Sequence, residues 1–254
     1  MISVRAEKGK KQVLPGKERE IQQRRDHFIE AAREVLLEDG YQAVSIGRVA
    51  EYTGFSRGTV YQLFSSKEEL VVALGMKCRE RLYEVVSLGY QFPGLPREKM
   101  VAVAQAVANY ATESPGDQRI LKIIDSELIL EKVAERQQNQ MVGYDVRIFG
   151  IVRDIVDQGL KSGDLVLPAN STGEGLCLGL WCLVDGTFAA QIGGAPLGEI
   201  GIADPMAEML QNGHMLLDGY QYRPLSSEHD YETTLQRFQQ YFTRKVAEAK
   251  GEVA

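Results

Sequence analysis

The most informative residues of this chain are a short run of polar side chains whose chemistry suits contact with a nucleic acid. They are Arg57, Thr59, Tyr61 and Gln62. Guanidinium, hydroxyl and amide groups donate hydrogen bonds to phosphate oxygens and read the edges of bases. Gly58 interrupts the run and would let the backbone come close to a duplex. These residue types therefore predict a DNA-contacting segment, provided that one helix presents them.

Two short helices joined by a tight turn are predicted to position this run. Ser45 and Ser56 are candidate N-caps, each just before a segment with helical spacing of apolar residues. Gly54 lies between the two segments and suits the left-handed conformation that ends a helix. Val60 and Phe64 are the apolar positions of the second helix. This pattern is typical of a helix-turn-helix, whose second helix enters the major groove.

A third helix is predicted to begin at Ser66, with Glu69 completing a capping box. Lys67 falls in its first turn, where the helix dipole disfavours a cation. A phosphate bound by the helix N-terminus would explain a lysine there. The alternative is a three-helix unit used only for packing, which would need neither Lys67 nor the exposed polar run.

The segment SIGRVAEYTGFSRGTVYQLFSSKEEL resembles the TetR family of bacterial transcriptional regulators. The matching residues are Val49, Ala50, Gly54, Thr59, Val60, Tyr61, Phe64, Ser66, Lys67, Glu68 and Leu70. The resemblance covers residues 24–74, and it departs from the family at Leu63, where many members carry a polar or histidine side chain that reaches a phosphate. It implies a homodimer on a palindromic double-stranded DNA operator, with a helical second domain that senses a small molecule.

Motif and resemblance together predict one set of DNA-contacting residues. The set is Ser45, Arg48, Ser56, Arg57, Gly58, Thr59, Tyr61, Gln62 and Lys67. We predict an all-α fold, with a basic and disordered arm over residues 1–17, the DNA-binding domain over 18–70, and a ligand-binding and dimerisation domain over 71–254. A long helix from Ser66 to about residue 88 would link the two domains.

The charge distribution is consistent with DNA binding at one end of the chain only. The 254 residues carry a net charge of −6, but residues 1–25 hold eight basic and three acidic side chains. A positive field there would steer a polyanion. The arm would either follow the DNA backbone or enter a minor groove, or it would be a solvated tail. Both interpretations stay open.

Several other classes of protein are disfavoured. The longest apolar run, residues 176–192, is interrupted by Asp185 and several glycines, so we predict no membrane span. The basic N-terminus has no apolar core after it, which disfavours a signal peptide. The cysteines, Cys78, Cys177 and Cys182, have no neighbouring histidine and suit a reduced cytoplasm. We predict no metal, no cofactor and no enzyme activity, because no catalytic motif occurs.

A stripe of small residues marks one late helix as a candidate dimer interface. The stripe is Gly175, Gly179, Cys182, Gly186 and Ala190, at spacings of four, three, four and four. Each exposed glycine lowers helix propensity by roughly 1 kcal/mol, which close packing against another helix would offset. Large apolar residues fill the other directions, so the helix is predicted to be buried on every side. The alternative is the central helix of a monomeric bundle.

A ligand pocket is predicted more weakly, from charges and aromatic rings within apolar helices. The candidates are Asp125, Tyr144, Phe149, Trp181 and Asp185. A charge on an apolar helix face needs a partner, which a ligand or an internal ion pair would supply. Aromatic residues at helical spacing belong either to a pocket or to the core.

We therefore predict a ligand-responsive repressor with an unknown small-molecule effector. The first alternative is a DNA-binding regulator that a protein partner controls. The second is an all-helical binding protein or enzyme that has lost DNA binding, against which the intact polar run argues.

Overall fold

The computed structural model describes residues 16–125 and 135–250, and the regular structure in these ranges is helical apart from one isolated bridge between Leu165 and Tyr222. The helices are α1 Gly16–Asp39, α2 Ile46–Thr53, α3 Arg57–Tyr61, α4 Lys67–Gln91, α5 Pro96–Glu113, α6 Pro115–Ile124, α7 Glu135–Ser162, α8 Gly173–Ile192, α9 Pro205–Gly219 and α10 Tyr231–Lys250. The predicted all-α fold is confirmed.

The chain divides into two compact units, residues 1–74 and 75–254. The division lies within α4, a few residues after the boundary predicted from the sequence. Residues 16 and 17, which were predicted to belong to the arm, are the first two residues of α1. Residues 1–15 of that arm lie outside the described residues.

The first unit has one small core that α1, α2, α3 and the following turn share. Phe28, Leu36, Val49, Val60 and Phe64 are at most 1% exposed. Their spacing places them on the inner faces of their helices, as amphipathic periodicity requires. Burying these side chains fixes the angle at which α3 projects its other face.

The second unit is a helical bundle in which α5 packs against α6, α7, α9 and α10. The last helix, α10, covers α5 through Phe238 and Phe242, which lie in a cluster with Phe92. The rings of Phe92 and Phe238 meet edge to face with centroids 5.6 Å apart. Aromatic pairs in this arrangement add stability beyond their buried area.

A buried arginine ties three parts of this bundle together. Arg97 on α5 is fully buried, and its Nη2 lies 2.6 Å from Oδ1 of Asp218. Arg97 also donates to the backbone carbonyls of Tyr222 and His214. Burial alone would raise the pKa of Asp218, but hydrogen bonds from Ser226 and the charge of Arg97 outweigh it and hold that pKa below its ordinary value.

Candidate functional sites

The turn between α2 and α3 is built by the local signals that the sequence contains. The hydroxyl of Ser45 accepts a hydrogen bond from the Arg48 amide at 3.1 Å, which caps α2. Gly54 ends α2 with φ of 72°, in the left-handed region that favours glycine. Ser56 caps α3 by accepting from the Thr59 amide at 3.1 Å. Both predicted caps and the predicted turn glycine are present.

The polar run lies on the exposed face of α3. Arg57, Gly58, Tyr61 and Gln62 are exposed, and Tyr61 keeps 57% of its surface accessible. The helix is shorter than predicted, because α3 ends at Tyr61 and Gln62 is its C-cap. Gln62 therefore projects from the end of the helix rather than from its side.

Arg57 is held over a glycine that the sequence analysis did not select. A Cβ atom built on Gly47 would lie only 3.2 Å from Nε and Nη2 of Arg57. The missing side chain at Gly47 thus leaves room for the guanidinium against α2. A glycine inside a helix costs roughly 1 kcal/mol relative to alanine, and this cost was the available signal.

Arg48 has partners within its own unit. Its guanidinium lies 3.3 Å from Asp39 and 3.7 Å from Glu51, and all three side chains are exposed. Exposed ion pairs of this kind are weak, so Arg48 can exchange them for a phosphate at little cost.

Lys67 stands at the first position of α4 and is held by an aromatic ring. Its Nζ lies 4.5 Å from the centroid of the Tyr41 ring, a cation–π arrangement. Burial and the negative charge of Glu68 raise the pKa of the Tyr41 phenol, so the ring stays neutral. The ring thus holds the side chain of the first residue of α4, and a helix N-terminus is where a phosphate is predicted to bind.

The N-terminus of α4 is capped in a slightly different way from the prediction. Ser66 accepts from the Glu69 amide at 3.1 Å, as a capping box requires. The Glu69 carboxylate, however, accepts from the amide of Ser65 at 2.7 Å, one residue earlier than predicted.

Arg25 is a positioning residue that sequence reasoning counted only as part of the basic N-terminal region. Its Nη1 donates to the Leu63 carbonyl at 3.1 Å, and its guanidinium lies 4.3 Å from the centroid of the Phe64 ring. It therefore satisfies a carbonyl left free where α3 ends and fixes α3 against α1.

The second unit contains a cavity of about 190 Å³ between α4, α5, α6, α7, α8 and α9. Most of its wall is apolar, with Leu82, Val103, Phe149, Leu180 and Met209 each contributed by a different helix. Concave, mostly apolar sites with a few polar groups are typical of small-molecule binding.

Four of the five predicted pocket residues line this cavity, namely Asp125, Phe149, Trp181 and Asp185. Both aspartates are also ion-paired: Asp125 with Arg79, and Asp185 with Lys122 at 2.5 Å. The fifth, Tyr144, is outside the cavity wall. Its ring packs against Tyr83 and under the guanidinium of Arg147, on another face of α7.

Arg79 is the centre of the charged part of the wall. It lies between Asp125 and Asp145, and its Nε donates to Asp145 at 3.1 Å. Burial raises the pKa of Asp145, an effect that Arg79 opposes and Asp125 adds to. Three buried nitrogen atoms of the wall have no hydrogen-bond partner in the described structure. They are Nη1 of Arg79, Nε2 of Gln118 and Nδ1 of His214.

Residues 28–74 match the sequence profile of the bacterial regulatory proteins of the tetR family. The chain carries a TetR-family DNA-binding domain. The resemblance predicted from the sequence is thus confirmed, and it rests on the same segment in which the caps, the turn glycine and the exposed polar run are observed.

Two curated TetR-type relatives are similar to this chain over segments of different length. The fatty acid metabolism regulator protein of Bacillus subtilis is 25% identical over 140 residues, which are 54% of this chain and 69% of that protein. The transcriptional repressor AcnR of Corynebacterium diphtheriae is 38% identical over 68 residues, which are 27% of this chain and 36% of that protein. The second match therefore spans about a third of that relative.

Solved structures show the TetR-type fold along most of the chain. A TetR/AcrR family regulator from Thermobifida fusca has a TM-score of 0.61 at 19% identity and covers 78% of this chain and 98% of its own. FadR of Bacillus subtilis, in complex with stearoyl-CoA, has a TM-score of 0.59 at 18% identity and covers 76% of this chain and 98% of its own.

In this TetR-type fold the small-residue stripe of α8 faces two different environments. A Cβ on Gly179 would lie 3.3 Å from Leu216 of α9, so that part of the stripe packs within the chain. Gly175 lies beside Thr172 and Tyr220. The later part is open, since a Cβ on Gly186 would have no heavy atom within 4 Å.

The prediction that α8 is buried on every side does not hold for the single chain. Leu178, Trp181 and Ile192 are 58%, 40% and 37% exposed, and Cys182 is exposed beside them. This 20-residue helix is, by length and by a mean hydropathy of 1.4, apolar enough to cross a membrane, which the sequence analysis did not expect. A largely apolar helix face that a single chain leaves open is also what a helical dimer interface needs.

Proposed function

We propose that this protein is a ligand-responsive transcriptional repressor that acts in the cytoplasm and binds a palindromic operator as a homodimer. The observation that carries the proposal is the presence of an exposed polar α3 in one unit and a mostly apolar cavity in the other. A repressor without an effector would have no use for the cavity.

The effector class that the cavity favours is a long-chain acyl compound. Its wall is apolar for most of its extent, which suits a hydrocarbon chain. Support comes from a curated relative that is named for fatty acid metabolism and from a solved structure that contains stearoyl-CoA, both from Bacillus subtilis. The space of about 190 Å³ is smaller than the roughly 300–1,000 Å³ of sites for drug-sized ligands, so an acyl chain would push the surrounding helices apart.

Helix α4 would carry this change toward the DNA-binding unit. It begins at Lys67 and also contributes Arg79, Leu82 and Val86 to the cavity wall. A ligand shifts a conformational equilibrium only by its difference in affinity for the two arrangements. An acyl chain that fits only the widened cavity would bind one of the two arrangements more tightly. If the operator binds the other arrangement, the acyl chain lowers the affinity for the operator by the same factor by which the operator lowers the affinity for the acyl chain.

The proposed function is tested by operator release. Selection from random DNA should return palindromic sites with half-site centres about one helical turn, roughly 34 Å, apart. Acyl compounds should then weaken binding to that operator and raise the melting temperature of the protein. If no acyl compound did either, control by a protein partner would become the better explanation.

A cavity-filling variant sharpens this test. Ala104 lines the cavity, so Ala104→Phe should abolish the response to acyl compounds while operator binding persists. Overpacking costs about 1–3 kcal/mol, which an otherwise stable domain can tolerate. Ala207→Phe is the matched control, because Ala207 is exposed on α9 and lies outside the cavity wall. An unchanged response in Ala104→Phe would mean that acyl compounds act elsewhere.

The proposed dimer places the open part of α8 at the interface. Gly186→Leu should therefore give monomers in analytical ultracentrifugation, because a large side chain would stand where two chains approach. Its own chain has room for that side chain, so folding should survive. Gly150→Leu, at an equally open helical glycine of α7, should leave the dimer intact. A dimer that persisted in Gly186→Leu would remove this face from the interface.

A further inference from the structure

The cavity wall contains buried hydrogen-bond donors that the protein itself does not use. Arg79 and Gln118 are only 4% and 7% exposed, and Nη1 and Nε2 have no acceptor among the described residues. Water or protein normally satisfies such groups, because leaving them unpaired is costly. Both atoms are donors, so a ligand that enters the cavity would satisfy them through a hydrogen-bond acceptor.

The charges around these donors argue against an anionic acceptor. The described wall has two cations, Arg79 and Lys122, and three carboxylates, which are Asp125, Asp145 and Asp185. Arg79 already bridges two of the carboxylates and Lys122 pairs with the third. A ligand carboxylate would meet a wall with an excess negative charge and no free cation among these residues.

His214, which also lines the cavity, does not offset the excess negative charge of the wall. Burial and the neighbouring Arg97 lower its pKa, so the imidazole is neutral in the fold, although Asp218 acts in the opposite direction. Its Nδ1 is the third wall nitrogen without a partner. A neutral ring of this kind can exchange a hydrogen bond with an uncharged group, but it cannot neutralise an anion.

We propose that the cavity selects acyl ligands whose first polar group is an uncharged hydrogen-bond acceptor, such as a thioester or ester carbonyl, and discriminates against the free fatty acid. Arg79 and Gln118 donate to that carbonyl. An uncharged carbonyl is far cheaper to dehydrate than a carboxylate, and it meets no repulsion from the three aspartates. The inference deepens the proposed function and rests on it.

Three probes with the same chain separate the head groups: laurate, methyl laurate and lauroyl-coenzyme A. Trp181 is the only tryptophan and lines the cavity, so its fluorescence reports binding directly. At a mildly alkaline pH, where laurate is ionised, the ester and the thioester should each bind at least about tenfold more tightly than the acid. Laurate that bound as tightly as the ester and the thioester, or more tightly, would overturn the proposal. Binding of the thioester alone would also overturn it, because the protein would then recognise the coenzyme and not the carbonyl.

Three variants test the two parts of the proposal, the donors and the charge of the wall. Gln118→Leu should weaken binding of the ester and thioester about fivefold to tenfold and leave laurate unchanged, since it removes one donor at similar volume. Asp145→Asn removes one carboxylate from the wall and should strengthen laurate binding. The difference in affinity between laurate and the two uncharged head groups should then become smaller. Asp185→Asn should also strengthen laurate binding. Because Asp185 is half exposed, this variant should fold even if Asp145→Asn does not.

The matched control for these charge variants is Asp157→Asn. Asp157 lies on the same helix as Asp145 and also pairs with an arginine, but it is outside the cavity wall. It should change none of the three affinities. If neither Asp145→Asn nor Asp185→Asn strengthened laurate binding relative to the ester and thioester, the aspartates would not be the cause of the discrimination against the free acid. If none of the three probes bound to the wild-type protein, the acyl effector of the proposed function would fail together with this inference.

Discussion

Lys67→Ala is expected to weaken binding to operator and to scrambled DNA by the same factor, whereas Gln62→Ala and Arg57→Ala are expected to weaken operator binding selectively. Lys67 is held over Tyr41 at the N-terminus of α4, which is a position for a phosphate and carries no sequence information. Its loss should lower the salt slope of binding by about one. Arg57 is the first residue of α3 and Gln62 is its C-cap, and both side chains are exposed. Each contact that they make to a base is worth roughly 1–3 kcal/mol.

The measurement is binding of each variant to both DNAs across a salt series. Lys161→Ala is the control for charge, since it removes one exposed cation at the end of α7 in the other unit and should leave the salt slope unchanged. If Lys67→Ala changed the sequence preference and left the salt slope unchanged, Lys67 would contact a base and not a phosphate, and its assigned role would be wrong. If neither Arg57→Ala nor Gln62→Ala affected binding, the reading of α3 as the recognition helix would fail.

Asp218→Asn is expected to lower the free energy of unfolding by about 3 kcal/mol at neutral pH. The substitution leaves the charge of Arg97, which is fully buried, with neutral acceptors only, namely the amide oxygen of the new side chain and the carbonyls of Tyr222 and His214. Removing one partner of a buried ion pair typically costs about 3–5 kcal/mol, and the lower end applies because Asp218 is 30% exposed. Urea unfolding of the two proteins measures the difference.

The pH dependence gives an independent check on this pair. The pKa of Asp218 is held below its ordinary value in the folded state, so the unfolded state binds more protons as the solution becomes acidic. The stabilisation is therefore present above the unfolded pKa of about 3.9 and is lost as the pH falls through the folded value. The gap between wild type and Asp218→Asn should close in acid.

Asp157→Asn is the matched control for stability, because its partner Arg153 is exposed and such pairs contribute at most about 1 kcal/mol. A loss as small as this in Asp218→Asn would mean that neutral acceptors are sufficient for the buried charge of Arg97.

The helix-turn-helix is the part that the sequence determined most completely. Ser45, Gly54 and Ser56 act on backbone groups within three or four residues of themselves, so their roles follow from residue type and position. The buried positions Val60 and Phe64 follow from helical periodicity in the same way. The exposed polar run is what remains when those positions are assigned.

What only the tertiary structure decided is which side chains from distant segments meet. Gly47 beneath Arg57, Tyr41 beneath Lys67 and Arg25 against the Leu63 carbonyl depend on how helices dock, which periodicity alone does not specify. A helical pattern identifies the apolar face of a helix, but the identity of its neighbour depends on packing with the whole unit.

The second unit shows the same limit more strongly. Periodicity marked α8 as apolar on all sides, yet it could not show that Gly179 packs on α9 while Gly186 stays open. It placed Trp181 and Tyr144 in one pocket, although only Trp181 lines the cavity and Tyr144 packs against Tyr83 and Arg147. The unpaired donors of Arg79 and Gln118 emerge only in three dimensions, because an unmet hydrogen bond depends on every element packed around it.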